Sequence, residues 1–205
     1  MEILNLFAGI GGNRKLWQGH RITAIEINPQ IAEIYQKLYP DDTVIVTDAH
    51  EYLANHYQKF DFIWSSPPCP SHSKLRKYLS VNAGGVKAIY PDMKLYEEIL
   101  FLQGYFKGNW VVENVVSWYT PLIPPIKLGR HCFWSNYHIP QATFESINPA
   151  LGNVSIKNDS IKVLQEKIGI YISIFKTNGI DKRLLLRNCV NPQIGNYIFN
   201  QQNIK

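Results

Sequence analysis

Cysteine is scarce in this chain. The 205 residues hold three, Cys69, Cys132 and Cys189, and no two are spaced as a CxxC pair. An odd, scattered set argues against a zinc site and against a disulfide framework. No metal is therefore expected, and a reducing cytoplasm is the natural setting. Long apolar runs are missing as well, and nothing approaches the roughly 20 residues that a membrane span needs. The opening "MEILNLFAGIGG" carries a brief apolar run and then glycines, without a basic leader or cleavage site, so no signal peptide is expected. Internal repeats and low-complexity tracts are absent too. What remains is the composition of an ordinary globular protein, 45% hydrophobic and 18% charged. The length suits one well-cored domain better than two. A net charge of +5 leans toward a polyanionic partner, although charge alone discriminates weakly.

Strand-like and helix-like segments alternate through the first two-thirds. "EILNLF" is a short strand that ends in "AGIGGNRKLW", a glycine turn leading into a helix. "RITAIEI" is the next strand, and Pro29 opens the helical "PQIAEIYQKLY" with Ile31, Ile34, Tyr35 and Leu38 at helical spacing. "TVIVTD" and "FDFIWSS" are further strands with the helical "AHEYLANHYQ" between them. "MKLYEEILFLQGYF" is an amphipathic helix, followed by the strand "NWVVENV". Strands separated by helices of this length predict an α/β fold, a parallel sheet with helices on both faces. Beyond about Pro140 the pattern weakens. "QATFESINPALGNVSIKNDS" reads as an irregular surface segment, "IKVLQEKIGIYI" as helical, and "GNYIFNQQ" as the start of a terminal helix.

In such a sheet, ligands bind beyond the carboxyl ends of the strands, and chemistry-bearing residues sit there. The first strand ends in Phe7-Ala8-Gly9-Ile10-Gly11-Gly12, the second in Glu26 and the third in Asp48. Glycines let a backbone pass close to a ligand, Glu26 can accept from both hydroxyls of a ribose, and Asp48 can receive an adenine amino group. Singly, each has a plain structural use, as a tight turn, a helix cap or a solvated charge. Together they favour an adenosine-containing cofactor. The fourth strand ends in "WSSPPCPSHS", where three prolines crowd Cys69, and the fifth in Glu113-Asn114. A thiolate is the strongest side-chain nucleophile, and an electropositive setting that lowers its pKa raises its population. A buried Glu113 can hold a proton and hydrogen-bond a heteroaromatic ring. Read without its surroundings, Cys69 is better taken as a small buried hydrophobe, as most free cysteines are.

As an ordered set these segments resemble the DNA cytosine-5 methyltransferases. "LNLFAGIGG", "SPPCPSHS", "VVENVV" and "NPQIGNYIF" stand in that family's order, over Ile3 to about Val115 and again from Gly195. The resemblance implies a Rossmann-like class I methyltransferase fold with a small C-terminal recognition region, and S-adenosylmethionine as cofactor. One domain would span 1–205: a cofactor-binding and catalytic core at 1–140, a reduced target-recognition region at 141–190, and a returning element at 191–205. The cofactor would meet Phe7, Ala8, Gly9, Gly11, Gly12, Glu26, Ile27, Asp48, Ala49, Pro67 and Asn196. Cys69 would add to C6 of a flipped-out cytosine while Glu113 serves its N3, the prolines fixing the angle of approach. "PSHSKLRKYLSVNAGGVK" would be a mobile loop closing over the base, hinged at Gly84 and Gly85. Double-stranded DNA is the implied partner, met by Ser73, Lys74, Arg76, Lys77 and Asn114, with Lys182 and Arg183 as further phosphate contacts.

Two departures from the family stand out. Relatives carry a Gln-x-Arg-x-Arg element, for which this chain offers "KLGRHCFWSN" with Arg130 as the candidate cytosine contact. The stretch from Pro140 to Asn191 is also short for a recognition domain, which leaves room for a second protomer or a partner chain. Alternative readings are methylation of cytosine in RNA, such as tRNA, and an inactive cofactor-binding DNA-binding or regulatory protein. Methylation of an amino group is disfavoured, because it needs no thiol. A bacterial or phage-infected host cytoplasm is the expected location.

Overall fold

Strands that are apolar at successive positions, rather than alternate ones, are covered on both faces. The computed structural model, which describes residues 1–144, 161–175 and 179–203, has this arrangement. Five strands run parallel: β1 (Glu2–Leu6), β2 (Arg21–Ile25), β3 (Thr43–Ile45), β4 (Phe62–Ser65) and β5 (Asn109–Val115). Two more, β6 (Ile126–Leu128) and β7 (His131–Ser135), pair antiparallel, β7 beside β5 and β6 beside β7. The order across the seven-stranded sheet is β3-β2-β1-β4-β5-β7-β6. It reverses between β1 and β4, so the crevice for a ligand opens beyond their carboxyl ends.

Helices α1 (Pro29–Leu38), α2 (Ala49–His56), α3 (Lys74–Asn82) and α4 (Lys94–Tyr105) come from the first half, and α5 (Ile161–Ile168), α6 (Lys182–Asn188) and α7 (Pro192–Gln201) from the C-terminal part. Local chemistry sets several starts. Asn28 caps α1 by accepting from the amides of Gln30 and Ile31, with Pro29 pre-set at the first position. Alternate residues of the central strands enter opposite layers. Leu4, Ile63 and Val112 pack with Leu95, Ile99 and Leu102 of α4. Ile3, Phe62, Trp64 and Val111 pack with Ile194, Ile198 and Phe199 of α7 and with Trp17. Each such side chain contributes about 1.5–3 kcal/mol, so α7, the last described helix, covers the central strands on one face of the sheet, with Tyr35 of α1 packing beside it on Ala24. A third cluster joins Ile10 and Ile34 to Leu164, Ile168, Leu185 and Leu186. The apolar faces of α5 and α6 thus lie against the glycine turn.

Two expectations are corrected. The glycine turn does not lead into a helix, and residues 9–17 form successive turns. The cause is long-range. Arg14 pairs with Asp42 at 2.5 Å, and Asn13 donates to Asn5 at 2.8 Å. The backbones of Gly12 and Asn13 lie against Val190 and Gly195, so near that a Cβ on Gly195 would stand 2.3 Å from the Asn13 carbonyl. Next, the loop expected after Cys69 contains α3, capped by Ser73, whose hydroxyl accepts from the amide of Arg76. The segment "KLGRHCFWSN" forms the β6–β7 hairpin, with Arg130 in its turn. Residues 145–160, most of the segment expected to be irregular, lie outside the described residues. Among the described residues no helix is long and apolar enough to cross a membrane.

Candidate active site

Phe7 leaves β1 with φ at +52°, a left-handed conformation that costs a residue bearing Cβ about 1–2 kcal/mol. Strain of this kind collects where a ligand must be met. The three glycines beyond it have different roles. Gly11 and Gly12 answer to the protein itself, since a Cβ there would stand 2.4 Å from Tyr39 and 2.6 Å from the Val190 carbonyl. Gly9, with φ at +54°, has nothing within 4 Å of where its Cβ would be, and so presents open backbone. Its amide donates to Glu26 Oε2 at 3.0 Å, and the Asn28 amide donates to Oε1 at 2.9 Å. A carboxylate has about four acceptor positions, so Glu26, 8% exposed, ties two loops together and keeps capacity for a ligand. Ile27 next to it is 65% exposed, an apolar surface at the mouth of the crevice. Asp48 caps α2 through the amide of Glu51, which holds its carboxyl below the ordinary value. Ala8 and Ala49 are buried. Asn196 lies half-buried on α7, one residue past the Gly195 contact with this loop.

Cys69 and Glu113 follow from neighbouring parallel strands, β4 and β5. Asn114 fixes their relation by donating to the Pro67 carbonyl at 2.9 Å. On the other side His72 and Ser73 donate to the Cys69 carbonyl, closing a tight turn around the cysteine. Glu113 is almost wholly buried, and burial raises its pKa from 4.5 to about 7, against a hydrogen bond from Ser66 and the charge of Arg130. It therefore shares its proton near neutral pH. Burial and the Glu113 charge push the Cys69 thiol up, with its own backbone and Arg130 opposing. The expected lowering of that pKa is not present. The two groups compete for one negative charge, so a neutral Glu113 is the state that permits a thiolate. Arg130 donates to the carbonyls of Arg187 and Cys189, which brings the C-terminal segment beside this pair.

The residues expected to meet nucleic acid divide. Lys74 and Lys77 are exposed on α3, and Lys77 lies 4.6 Å above the ring of Trp118. With Tyr78, Val81 and Asn82 they line a groove of about 310 Å3. Arg76 is half-buried and turned toward the Lys87 carbonyl. Lys182 reaches the Ser173 carbonyl, and Arg183 stands half-buried beside it on α6. Asn114 is the correction: it is 1% exposed, both ends of its amide are used within the protein, and it positions the Pro-Cys turn instead of facing outward. Three residues went unread in the sequence. Trp118 donates to the Ser71 carbonyl at 3.0 Å, Tyr119 bonds His72 at 2.6 Å, and His131 faces Glu113. The adjacency of "SWY" to "VVENVV" was the available signal for the first two.

Residues 1–86 match the family model of C-5 cytosine-specific DNA methylases, a stretch that includes both the glycine turn and Cys69. Over that stretch the chain is similar to the DNA cytosine-5 methyltransferases. A search of curated proteins finds no match. Among solved structures, the chain is similar to the methyltransferase EhMeth of Entamoeba histolytica over 100% of its own length and 99% of that chain, with a TM-score of 0.57 at 12% identity. At that identity the likeness speaks for the fold alone. A variant of Spodoptera frugiperda DNMT2 is similar over 56% of this chain and 35% of its own, with 23% identity and a TM-score of 0.38. The fold is the Rossmann-like class I methyltransferase fold, and the family-model match over residues 1–86 supports methyltransferase activity.

Proposed function

We propose that the protein methylates C5 of cytosine in double-stranded DNA, using S-adenosylmethionine and a transient bond between Cys69 and C6 of a base turned out of the helix. The pairing of Cys69 with a Glu113 that keeps a proton near pH 7 carries this reading. C5 of cytosine is a poor nucleophile. Attack of the Cys69 thiolate forms the S–C6 bond and moves electron density into the ring, where N3 takes the Glu113 proton. C5 is then an enamine carbon. Bound S-adenosylmethionine supplies an electrophilic methyl group. When C5 has given up its proton to solvent, the S–C6 bond breaks, the C5–C6 double bond returns, and N3 hands its proton back to Glu113. The open backbone at Gly9, the spare acceptor capacity of Glu26 and the exposed Ile27 suit an adenosine and its ribose, and Phe7, Asp48 and Asn196 are the further contacts this reading assigns.

The target atoms are unreachable in a stacked duplex, so the base must leave it. Lys74 and Lys77 suit the flanking phosphates, and the Tyr78–Trp118 groove beside them suits exposed base faces. So short a recognition region also leaves room for a second protomer or a partner chain. The test measures tritium transfer from labelled S-adenosylmethionine to duplex DNA, single-stranded DNA and tRNA. Incorporation at cytosine C5 of the duplex is expected. Labelling confined to tRNA would move the substrate to RNA, and cofactor binding without transfer to any of them would mark a regulatory protein.

A further inference from the structure

His131 is buried beside Glu113 and has no role in the chemistry described so far. Glu113 and Val115 share one face of β5, and His131 of β7 pairs with Val115, so the imidazole lies diagonal to the carboxyl on that face. The His131 Nε2 stands 3.8 Å from Glu113 Oε1, and the residue is 5% exposed. Its other ring nitrogen, Nδ1, is buried with no hydrogen-bond partner among the described residues. Burial and the adjacent Arg130 charge lower the His131 pKa to about 3, so the ring is neutral across the working range. The remaining groups around the carboxyl are Ser66 and Cys69 on the β4 side, Arg130 in the turn before β7, and Cys132 within it.

The orphan nitrogen decides the tautomer. A proton on Nδ1 would strand a buried donor, which proteins tolerate less than an unpaired acceptor. The proton therefore belongs on Nε2, the nitrogen that faces Glu113. We propose that His131 is a positioning residue: its Nε2–H is aimed at Oε1 of Glu113, so that the protonated oxygen of the carboxyl is the other one, free to turn to N3 of the substrate base. At 3.8 Å the contact is longer than a hydrogen bond, and it tightens when a base holds the acid in place, as catalytic contacts do. A neutral donor suits this duty, because it orients the carboxyl without adding the charge that would drive off its proton. The inference rests on the reading of Glu113 under the proposed function.

Two measurements test it separately. Nitrogen-15 NMR of ring-labelled histidine in the intact protein reads the tautomer without any turnover. His131→Gln or His131→Leu identifies the resonance, whichever folds, and Nε2–H at pH 6–8 is the expected form. Kinetics then compare three variants. His131→Leu and His131→Asn should lower kcat roughly tenfold to a hundredfold, as a misplaced catalytic group does, with KM for DNA unchanged. In His131→Gln the side-chain amide reaches the place of Nε2 and should restore most of the rate. An Nδ1–H tautomer overturns the proposal, as does a leucine variant of wild-type rate or a glutamine variant no better than asparagine. Should wild type transfer no methyl group at all, the proposed function falls, and the tautomer alone then judges the pairing.

Discussion

In Glu113, stability and catalysis pull in opposite directions. Its folded pKa of about 7 lies above the ordinary 4.5. Between those values the unfolded chain releases the proton and the folded chain keeps it, so stability falls as pH rises through that window and levels off above it. The loss amounts to about 3 kcal/mol. Glu113→Gln keeps the shape and removes the charge. Thermal melts should therefore show the variant more stable than wild type at pH 8, with the two converging near pH 4–5. Methyl transfer by the same variant should drop by a factor on the order of 10²–10⁴, the usual worth of a positioned acid. Equal melting temperatures at pH 8 would mean that the carboxyl is better solvated than its position implies. Wild-type turnover should decline above about pH 7, because Glu113 must be protonated to serve N3.

The glycine turn carries its functions on different residues, and two substitutions separate them. Gly9→Ala meets no atom, and its cost is the left-handed φ of +54°, about 1–2 kcal/mol. It should weaken S-adenosylmethionine binding while leaving a folded protein, as isothermal titration and a melt would show. Gly195→Ala drives a methyl group to 2.3 Å from the Asn13 carbonyl, a backbone atom that cannot step aside. Overpacking of this kind costs about 1–3 kcal/mol, so its melting temperature should fall whether or not cofactor is added. Gly195 also marks where sequence reading runs out. The runs that became β1 to β5 were legible because apolar residues fill both faces, and α1 because Asn28 and Pro29 announce its start. The absence of a helix after Gly12 was hidden, because Val190 and Gly195 press on that backbone from the far end of the chain. For α3, Leu75 and Leu79 were too slight an apolar stripe. Cys69 and Glu113 were legible as residues at strand ends, but the raised thiol pKa and the facing His131 are products of burial, which no local spacing displays.

Across the whole molecule, five of the strands and four helices come from the N-terminal part, and α7 returns from the other end to close the sheet. With α5 and α6 packed on the glycine turn, few described residues beyond Pro140 remain to reach a base edge. Each good base contact contributes only about 1–3 kcal/mol of discrimination, so mapping of methylated cytosines should find a short site, on the order of two to four base pairs. Binding should lean on phosphate contacts from groups such as Lys74 and Lys77, with log K falling by about 0.9 per log unit of salt for each phosphate neutralised. A shallow salt dependence with a required site of six or more base pairs would point to a partner chain for recognition. The central claim is the bond between Cys69 and C6, and trapping tests it most directly. Duplex DNA carrying 5-fluorocytosine in its methylation site, incubated with wild type and S-adenosylmethionine, should yield a protein–DNA adduct that survives denaturation, since fluorine cannot leave C5 as a proton does. Cys69→Ala should fold, bind cofactor and give no adduct. An alanine variant that still methylates, or a wild type that methylates cytosine C5 without ever trapping, would contradict the account.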